Sequence, residues 1–191
     1  NIIPKTWKIK IPGDHNRDNI ACAILATREL DVSEEAIKKG VESFTGVPGR
    51  LELMRIAKGI KYVNDTTATT PDGNKAALLA LSDKNKKNIV LIAGGNDKNL
   101  DFVGMAKLIH KTVKALVLIK GTATDKILAS LPKKHAYEAI VVGSMKEAFK
   151  TAQGFARRGD TVLLSPGAAS FGIFKNEFDR GDQFAVLVKK L

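Results

Sequence analysis

The chain has 191 residues, 44% of them hydrophobic and 27% charged, a composition that builds a packed core and excludes an intrinsically disordered chain. Apolar runs such as Ile89–Ala93 and Ala139–Val142 fall far short of the roughly 20 residues a membrane-spanning helix needs, and a lone cysteine, Cys22, gives no internal disulfide or metal cluster. The net charge of +11 favours anionic partners, but the basic residues are dispersed apart from short clusters at Lys84–Lys87, Lys133–Lys134 and Arg157–Arg158. Aromatic residues do not interleave with those clusters, so a stacking platform for single-stranded nucleic acid is not expected. No basic-then-apolar leader opens the sequence, and a cytoplasmic location is the expectation.

The first dozen residues read as the end of something larger. Trp7–Ile11 alternates apolar and polar residues as a half-buried strand does, and Pro12-Gly13 stops it. Asp14 is a candidate cap for a helix through Asn19–Glu29, and Ser33 for a second helix carrying Ile37, Val41 and Phe44 at helical spacing. Two short helices cannot enclose a core, so this front piece reads as the tail of a domain whose body lies elsewhere, with a boundary near Val47–Arg50.

Beyond residue 50 the pattern changes. Leu51–Ile56 and Ile60–Val63 predict a hairpin with its turn at Lys58-Gly59. Helices are then predicted over 71–82, 101–112, 122–131, 144–157 and 180–190, with strands over 88–93, 115–119, 138–142 and 161–164 between them. Within them Ile89–Ile92, Ala115–Ile119, Ile140–Val142 and Val162–Leu164 are apolar throughout rather than alternating, as strands covered on both faces by helices must be. The fold class is therefore α/β: a Rossmann-like, mostly parallel, doubly wound sheet preceded by a helical tail.

In such a sheet ligands gather beyond the carboxyl ends of the strands. Residues 64–70, Asn-Asp-Thr-Thr-Ala-Thr-Thr, offer a carboxylate and four hydroxyls; a helix cap with Pro71 at the first position is the plainer alternative. Gly94-Gly95-Asn96-Asp97-Lys98 lets the backbone approach a ligand under a mobile cation suited to carboxylate or phosphate, or is simply a glycine turn with a solvated lysine. Ser165–Gly172 presents small residues and two more serines to an anion. Neither GxxxxGK[ST] nor GxGxxG occurs. The histidines His15, His110 and His135 stand clear of the serines, so a Ser–His–Asp hydrolase is not expected, and without CxxC or HxxxH spacing neither is a zinc site.

Six segments in this order resemble the Mur ligases of peptidoglycan synthesis, and among them the branch that adds D-glutamate. They are Gly13–Asn19, Gly46–Glu52, Asn64–Thr70, Ala93–Lys98, Leu164–Phe171 and Phe174–Gly181, which together span nearly the whole chain. The resemblance implies that residues 1–46 are the tail of a central ATP-binding domain and residues 47–191 the C-terminal domain. It implies an ATP-dependent acid–D-amino-acid ligase that joins D-glutamate to UDP-N-acetylmuramoyl-L-alanine through an acyl phosphate, with Mg2+ as its metal. A truncated chain lacking the P-loop is expected to be inactive alone and to bind no metal itself.

Position by position, the resemblance puts Asn16 and Asn19 near the adenine of ATP, Arg50 at its phosphates and Asp65 at its ribose. Thr69, Lys98, Ser170 and Phe171 match positions that hold D-glutamate, whose ionised carboxylates suit charge-assisted bonds. The implied partners are UDP-N-acetylmuramoyl-L-alanine, D-glutamate and ATP, with no nucleic acid, no membrane and a monomeric state. The chain departs from the commoner family pattern at Gly49 (often histidine), Thr66-Thr67 (Ser-Lys), Thr70 (Asn) and Phe178, an aromatic one residue later than usual. The alternatives are a Mur ligase for another amino acid, a folylpolyglutamate synthase-like ligase, or a non-catalytic basic binding module.

Overall fold

Apolar strands need cover on both faces, and the computed structural model, which describes residues 2–83, 85–134 and 137–191, provides it. Contacts within the chain divide it into two units, Asn1–Val47 and Pro48–Leu191.

The first unit holds α1 (Asp14–Arg28) and α2 (Glu34–Ser43). Ser33 caps α2 as its sequence suggests, accepting from the Ala36 amide. Asp14 does not cap α1: Gly13 takes the cap position at φ 96, without a side-chain bond, and Asp14 becomes the acid of the first turn. The expected strand over Trp7–Ile11 is absent among the described residues. Its alternation still reports a real burial pattern. Trp7, Ile9 and Ile11 pack against a small core of Ile3, Ile20, Ile24 and Ile37, but no neighbouring strand offers them a ladder.

The second unit is built on a six-stranded sheet: β1 (Glu52–Ala57), β2 (Ile60–Asn64), β3 (Ile89–Gly94), β4 (Val113–Ile119), β5 (Ala139–Val142) and β6 (Thr161–Leu164). Its spatial order is β1-β2-β6-β3-β4-β5. β1 pairs antiparallel with β2, and every other pairing is parallel. Successive residues of the inner strands go to opposite faces. Ile89, Leu91, Leu116, Leu118 and Leu163 join α3 (Pro71–Leu81), α4 (Val103–Thr112) and α5 (Thr122–Ser130). Val90, Ile92, Val117, Val162 and Leu164 join α6 (Met145–Phe155) and α7 (Glu177–Lys189). The continuous apolar strands are thus two interleaved period-2 patterns with both faces covered.

β5 and α7 differ from expectation. β5 is an edge strand, so its apolar residues are only part-buried and Val141 is 47% exposed. α7 begins at Glu177 rather than 180, because Asn176 caps it by accepting from the Asp179 amide. Among the described residues no helix is long and apolar enough to cross a membrane.

Candidate functional site

The topology puts β2, β6 and β3 side by side and parallel, so the segments that follow them emerge together on one edge of the sheet. These are the loops singled out in the sequence: residues 65–70, 165–174 and 95–102. Backbone bonds join them. The Gly167 amide donates to the Ala68 carbonyl at 2.8 Å, and Asn96 and Ala169 exchange both amide-to-carbonyl bonds at 2.9 and 3.0 Å. Asn96 ties in a third side: its Nδ2 donates to the Phe171 carbonyl, while its Oδ1 accepts from the Thr122 amide at 3.3 Å. Gly95 makes that closeness possible. Its φ is 127°, and a Cβ there would stand 2.3 Å from the Ala169 carbonyl oxygen.

Asp65 is buried at the centre. Its Oδ1 accepts from the Leu51 amide at 3.1 Å and its Oδ2 from Ser165 Oγ at 2.7 Å. Burial pushes its carboxyl up to about 6, against the hydrogen bonds from Ser165 and Leu51 and the field of Arg50, all of which favour the charged form. Arg50 itself is exposed.

The next loop residues have separate tasks. Thr70 caps α3 by accepting from the Gly73 amide, with Pro71 at the first helical position, so the plain cap reading holds for Thr70. Thr67 Oγ1 donates to the Gly49 carbonyl at 2.9 Å. Thr69 stays half-buried with its hydroxyl uncommitted among the described residues.

On β3's side, Asp97 is fixed. It meets Lys126 at 2.5 Å and accepts from the Leu100 amide at 3.0 Å, and the Lys126 bond holds its carboxyl below the usual range. Lys98, one residue on, is exposed and has no bonding partner among the described residues. Ser170 is buried at 4% and Phe171 is 60% exposed. Thr69, Lys98, Ser170 and Phe171 therefore belong to three loops of one edge, bonded to one another through their backbones.

Asn16 and Asn19 lie in the first unit, one turn apart on α1. Asn16 Nδ2 donates to the Pro12 carbonyl at 2.7 Å, and Asn19 is exposed. His110 is in α4, 6.2 Å from the Tyr137 ring; His135 lies outside the described residues.

Arg180 has a role that sequence reasoning missed. It is fully buried, yet among the described residues it pairs with no carboxylate. Its Nη2 donates to the Thr66 carbonyl at 2.7 Å, its Nε to Thr66 Oγ1 at 3.2 Å and its Nη1 to the Ala168 carbonyl at 3.2 Å. One planar fork thus holds the loops after β2 and β6 together. Burial draws its pKa down to about 10, partly offset by Glu177, so it stays charged at neutral pH. A signal existed: Arg180, Phe184 and Val188 share one helical face (i, i+4, i+8), and a cation in an otherwise buried apolar stripe needs a partner.

A family model described as the Mur ligase, glutamate ligase domain matches residues 49–167. The chain belongs to the Mur ligase family. It is 43% identical over 183 residues to a UDP-N-acetylmuramoylalanine–D-glutamate ligase from Roseiflexus sp. (strain RS-1), covering 95% of this chain and 38% of that protein. The ligase of the same name from Clostridium botulinum (strain Alaska E43 / Type E3) is 40% identical over 192 residues, covering 98% of this chain and 41% of that protein. This Mur ligase chain thus spans about two-fifths of the length of the relatives it matches.

Among solved structures, the UDP-N-acetylmuramate-alanine ligase of Thermotoga maritima superposes with a TM-score of 0.70 at 23% identity, over 96% of this chain and 40% of that one. E. coli FolC in complex with ADP superposes with a TM-score of 0.62 at 21% identity, over 98% and 41%. Both likenesses bear on the fold. The matched family segment contains Arg50, Asp65, Thr69 and Lys98, whereas Ser170, Phe171 and Arg180 lie beyond it.

Proposed function

We propose that this chain is the amino-acid-binding part of a cytoplasmic, ATP-dependent ligase that joins D-glutamate to UDP-N-acetylmuramoyl-L-alanine in peptidoglycan synthesis. Residues 1–46 are the tail of its ATP-binding domain and residues 47–191 its C-terminal domain. The observation that carries this reading is the free cation of Lys98 on a sheet edge whose loops also bear the Thr69 and Ser170 hydroxyls and are bonded together through Asn96, Ala169 and Gly167. An uncommitted ammonium on the same edge as free hydroxyls suits an ionised carboxylate. The names and identities of the curated relatives support the choice of D-glutamate.

The reaction balances simply. The γ-phosphoryl group of ATP passes to the carboxylate of the muramoyl-alanine, giving an acyl phosphate and ADP. The D-glutamate amine then attacks the acyl carbon, the C–O bond to phosphate breaks with its electron pair on phosphate, and nitrogen loses a proton to yield the amide. This chain's contribution is to hold the attacking amino acid by its carboxylates, leaving the amine free, and to neutralise charge among anionic reactants. Lys98 and the Thr69 and Ser170 hydroxyls grip the carboxylates, and Phe171 walls the pocket.

Toward ATP, Arg50 is an exposed cation suited to phosphate, and Asn16 and Asn19 present amides on α1 for adenine. Asp65 meets a ribose hydroxyl only by sharing oxygens already engaged by Leu51 and Ser165. Among the described residues no group of three His, Cys, Asp or Glu side chains able to hold a metal occurs, and no residue of this chain is assigned to Mg2+. No step here runs through the metal.

The test is phosphate release by the full-length protein from ATP and UDP-N-acetylmuramoyl-L-alanine, offered a panel of amino acids. Release specific to D-glutamate supports the reading. Release specific to another amino acid assigns the chain to another branch of the family, and no turnover with any of them refutes the ligase.

A further inference from the structure

The catalytic reading leaves most of the charge unused. The carboxyl-end loops at 65–70, 94–102, 120–121, 143–144 and 165–176 contain Lys98, Lys120 and Lys175 against Asp65, Asp97 and Asp101, and so are balanced. The excess lies at the opposite edge of the sheet.

All three basic clusters of the sequence converge there. Lys86 and Lys87 precede β3, Lys133 and Lys134 precede β5, and Arg157 and Arg158 precede β6; Lys84 lies outside the described residues. The β1–β2 turn adds Lys58 and the start of β2 adds Lys61, with Lys111 and Lys114 around the α4–β4 junction. The acids on this edge are Asp83, Glu138 and Asp160, and Asp160 is buried in a 2.6 Å pair with Lys114.

Some of these cations have internal work. Helices α3 to α6 turn their carboxyl ends to this edge, where positive charge is favoured. Lys87 Nζ donates to the His110 carbonyl at 2.7 Å, and Arg157 Nη1 donates to the Gly154 and Ala156 carbonyls at 2.7 and 2.9 Å. The rest do not. Lys58, Lys61, Lys86 and Lys111 are exposed without a side-chain bond or ion pair among the described residues, and so are Lys133, Lys134 and Arg158. Fold stability therefore does not account for them.

We propose that this amino-end edge is a docking surface for the anionic face of a phospholipid bilayer. Three features favour lipid over nucleic acid. The free cations are mostly lysines, compact charges that suit a diffuse anionic surface rather than paired recognition. They spread along loops across five parallel strands, about 20 Å at ordinary strand spacing, rather than along one helix or one strand pair that could enter a groove. Tyr137, the one aromatic among the described residues of these loops, is buried rather than free to stack. Ile56, opposite Lys61 in the hairpin register, is 58% exposed; bilayer headgroups accommodate an apolar side chain among lysines and a phosphate backbone does not. The surface works by Coulomb attraction within a Debye length of the lipid, with no spanning segment. It modifies the expectation of no membrane partner and faces away from the amino-acid site, so both can operate at once.

The test is co-sedimentation of the 191-residue chain with phosphatidylcholine vesicles, with and without about one-third phosphatidylglycerol. Binding is expected to the anionic vesicles alone and to fall steeply with salt. Lys58→Glu, Lys86→Glu, Lys133→Glu and Lys134→Glu together should lower it at least about tenfold. Lys5→Glu, Lys10→Glu, Lys38→Glu and Lys39→Glu, the same net change on the first unit, should leave most of it. The wild-type lipid and salt series stands even if a variant fails to fold. No binding to anionic vesicles, equal loss in both variants, or binding to an arbitrary DNA duplex without vesicle binding overturns the proposal, the last in favour of nucleic acid.

Discussion

Ser165 Oγ donates to Asp65 Oδ2 at 2.7 Å, a bond between the residues that follow two neighbouring parallel strands, β6 and β2. The second oxygen of the same carboxylate receives the Leu51 amide, and Leu51 has a φ of 46° at the start of β1. One buried acid therefore sets the relative positions of three chain segments at the edge where the amino-acid site is proposed.

That arrangement has a pH signature. Asp65 is raised from 3.8 to about 6 by burial, so the folded state favours its protonated form. Its contribution to stability is fully present below the unfolded value and is lost as pH rises through about 6, a swing of about 3 kcal/mol. Asp65→Asn removes the titration while keeping an oxygen to accept one of the two bonds. The unfolding free energy of the wild type minus that of the variant should fall by about this amount between about pH 4 and about pH 7.5. Denaturant titrations at the two pH values measure it, and a constant difference would count against the buried, raised carboxyl.

Arg180 should be the most sensitive residue of α7. Arg180→Ala leaves the Thr66 and Ala168 carbonyls without their donor and opens a void at a fully buried position, for an expected loss of about 3–5 kcal/mol. Arg180→Lys keeps charge and most of the volume but replaces the three-point fork with one ammonium, and should recover only part of that loss. Urea unfolding of both variants checks the order. Full recovery by lysine would mean that charge alone, not the fork, holds the two loops.

Gly95→Ala tests how closely the loops after β3 and β6 must approach. The new methyl would meet the Ala169 carbonyl oxygen at 2.3 Å, at a φ of 127°. Either the Asn96–Ala169 bridge opens or the backbone moves, at an expected cost of about 2 kcal/mol or more. The amides of Asn96 and Ala169 should lose hydrogen-exchange protection together; protection kept at both would show that the approach is looser than described.

Asn96→Ala should separate the stitching from the sheet itself. It removes the side-chain bonds to the Phe171 carbonyl and from the Thr122 amide while β3 stays intact. The expected loss is about 1–3 kcal/mol, and Phe171 should gain mobility on the nanosecond scale by NMR relaxation. An unchanged Phe171 would place its restraint elsewhere, in the isolated backbone bridge that pairs it with Phe174.

The architecture was legible because its signals are redundant. Leu91, Val117 and Leu163 sit in runs without polar residues, and only a strand covered twice explains such runs between helical repeats. The cap at Thr70-Pro71 and the turn at Lys58-Gly59 carry their own local chemistry. Trp7–Ile11 misled because alternation records which side chains are buried, not whether a partner strand is present to bond. β5 misled in the other direction, since an apolar sequence does not reveal that a strand lies at an edge. Of the candidate site, the loops could be read from their place after strands, but their joining could not. It depends on Arg180 reaching Thr66, 114 residues away in sequence, and on strand order, which places β6 between β2 and β3.

The most direct measurement is the D-glutamate KM of the full-length protein with Lys98→Ala, assayed beside the wild type. Removing a charge-assisted bond to an ionised acid should raise KM about tenfold or more, with stability unchanged because Lys98 has no bonding partner among the described residues. A KM for D-glutamate equal to that of the wild type would contradict the assignment of this sheet edge as the amino-acid site.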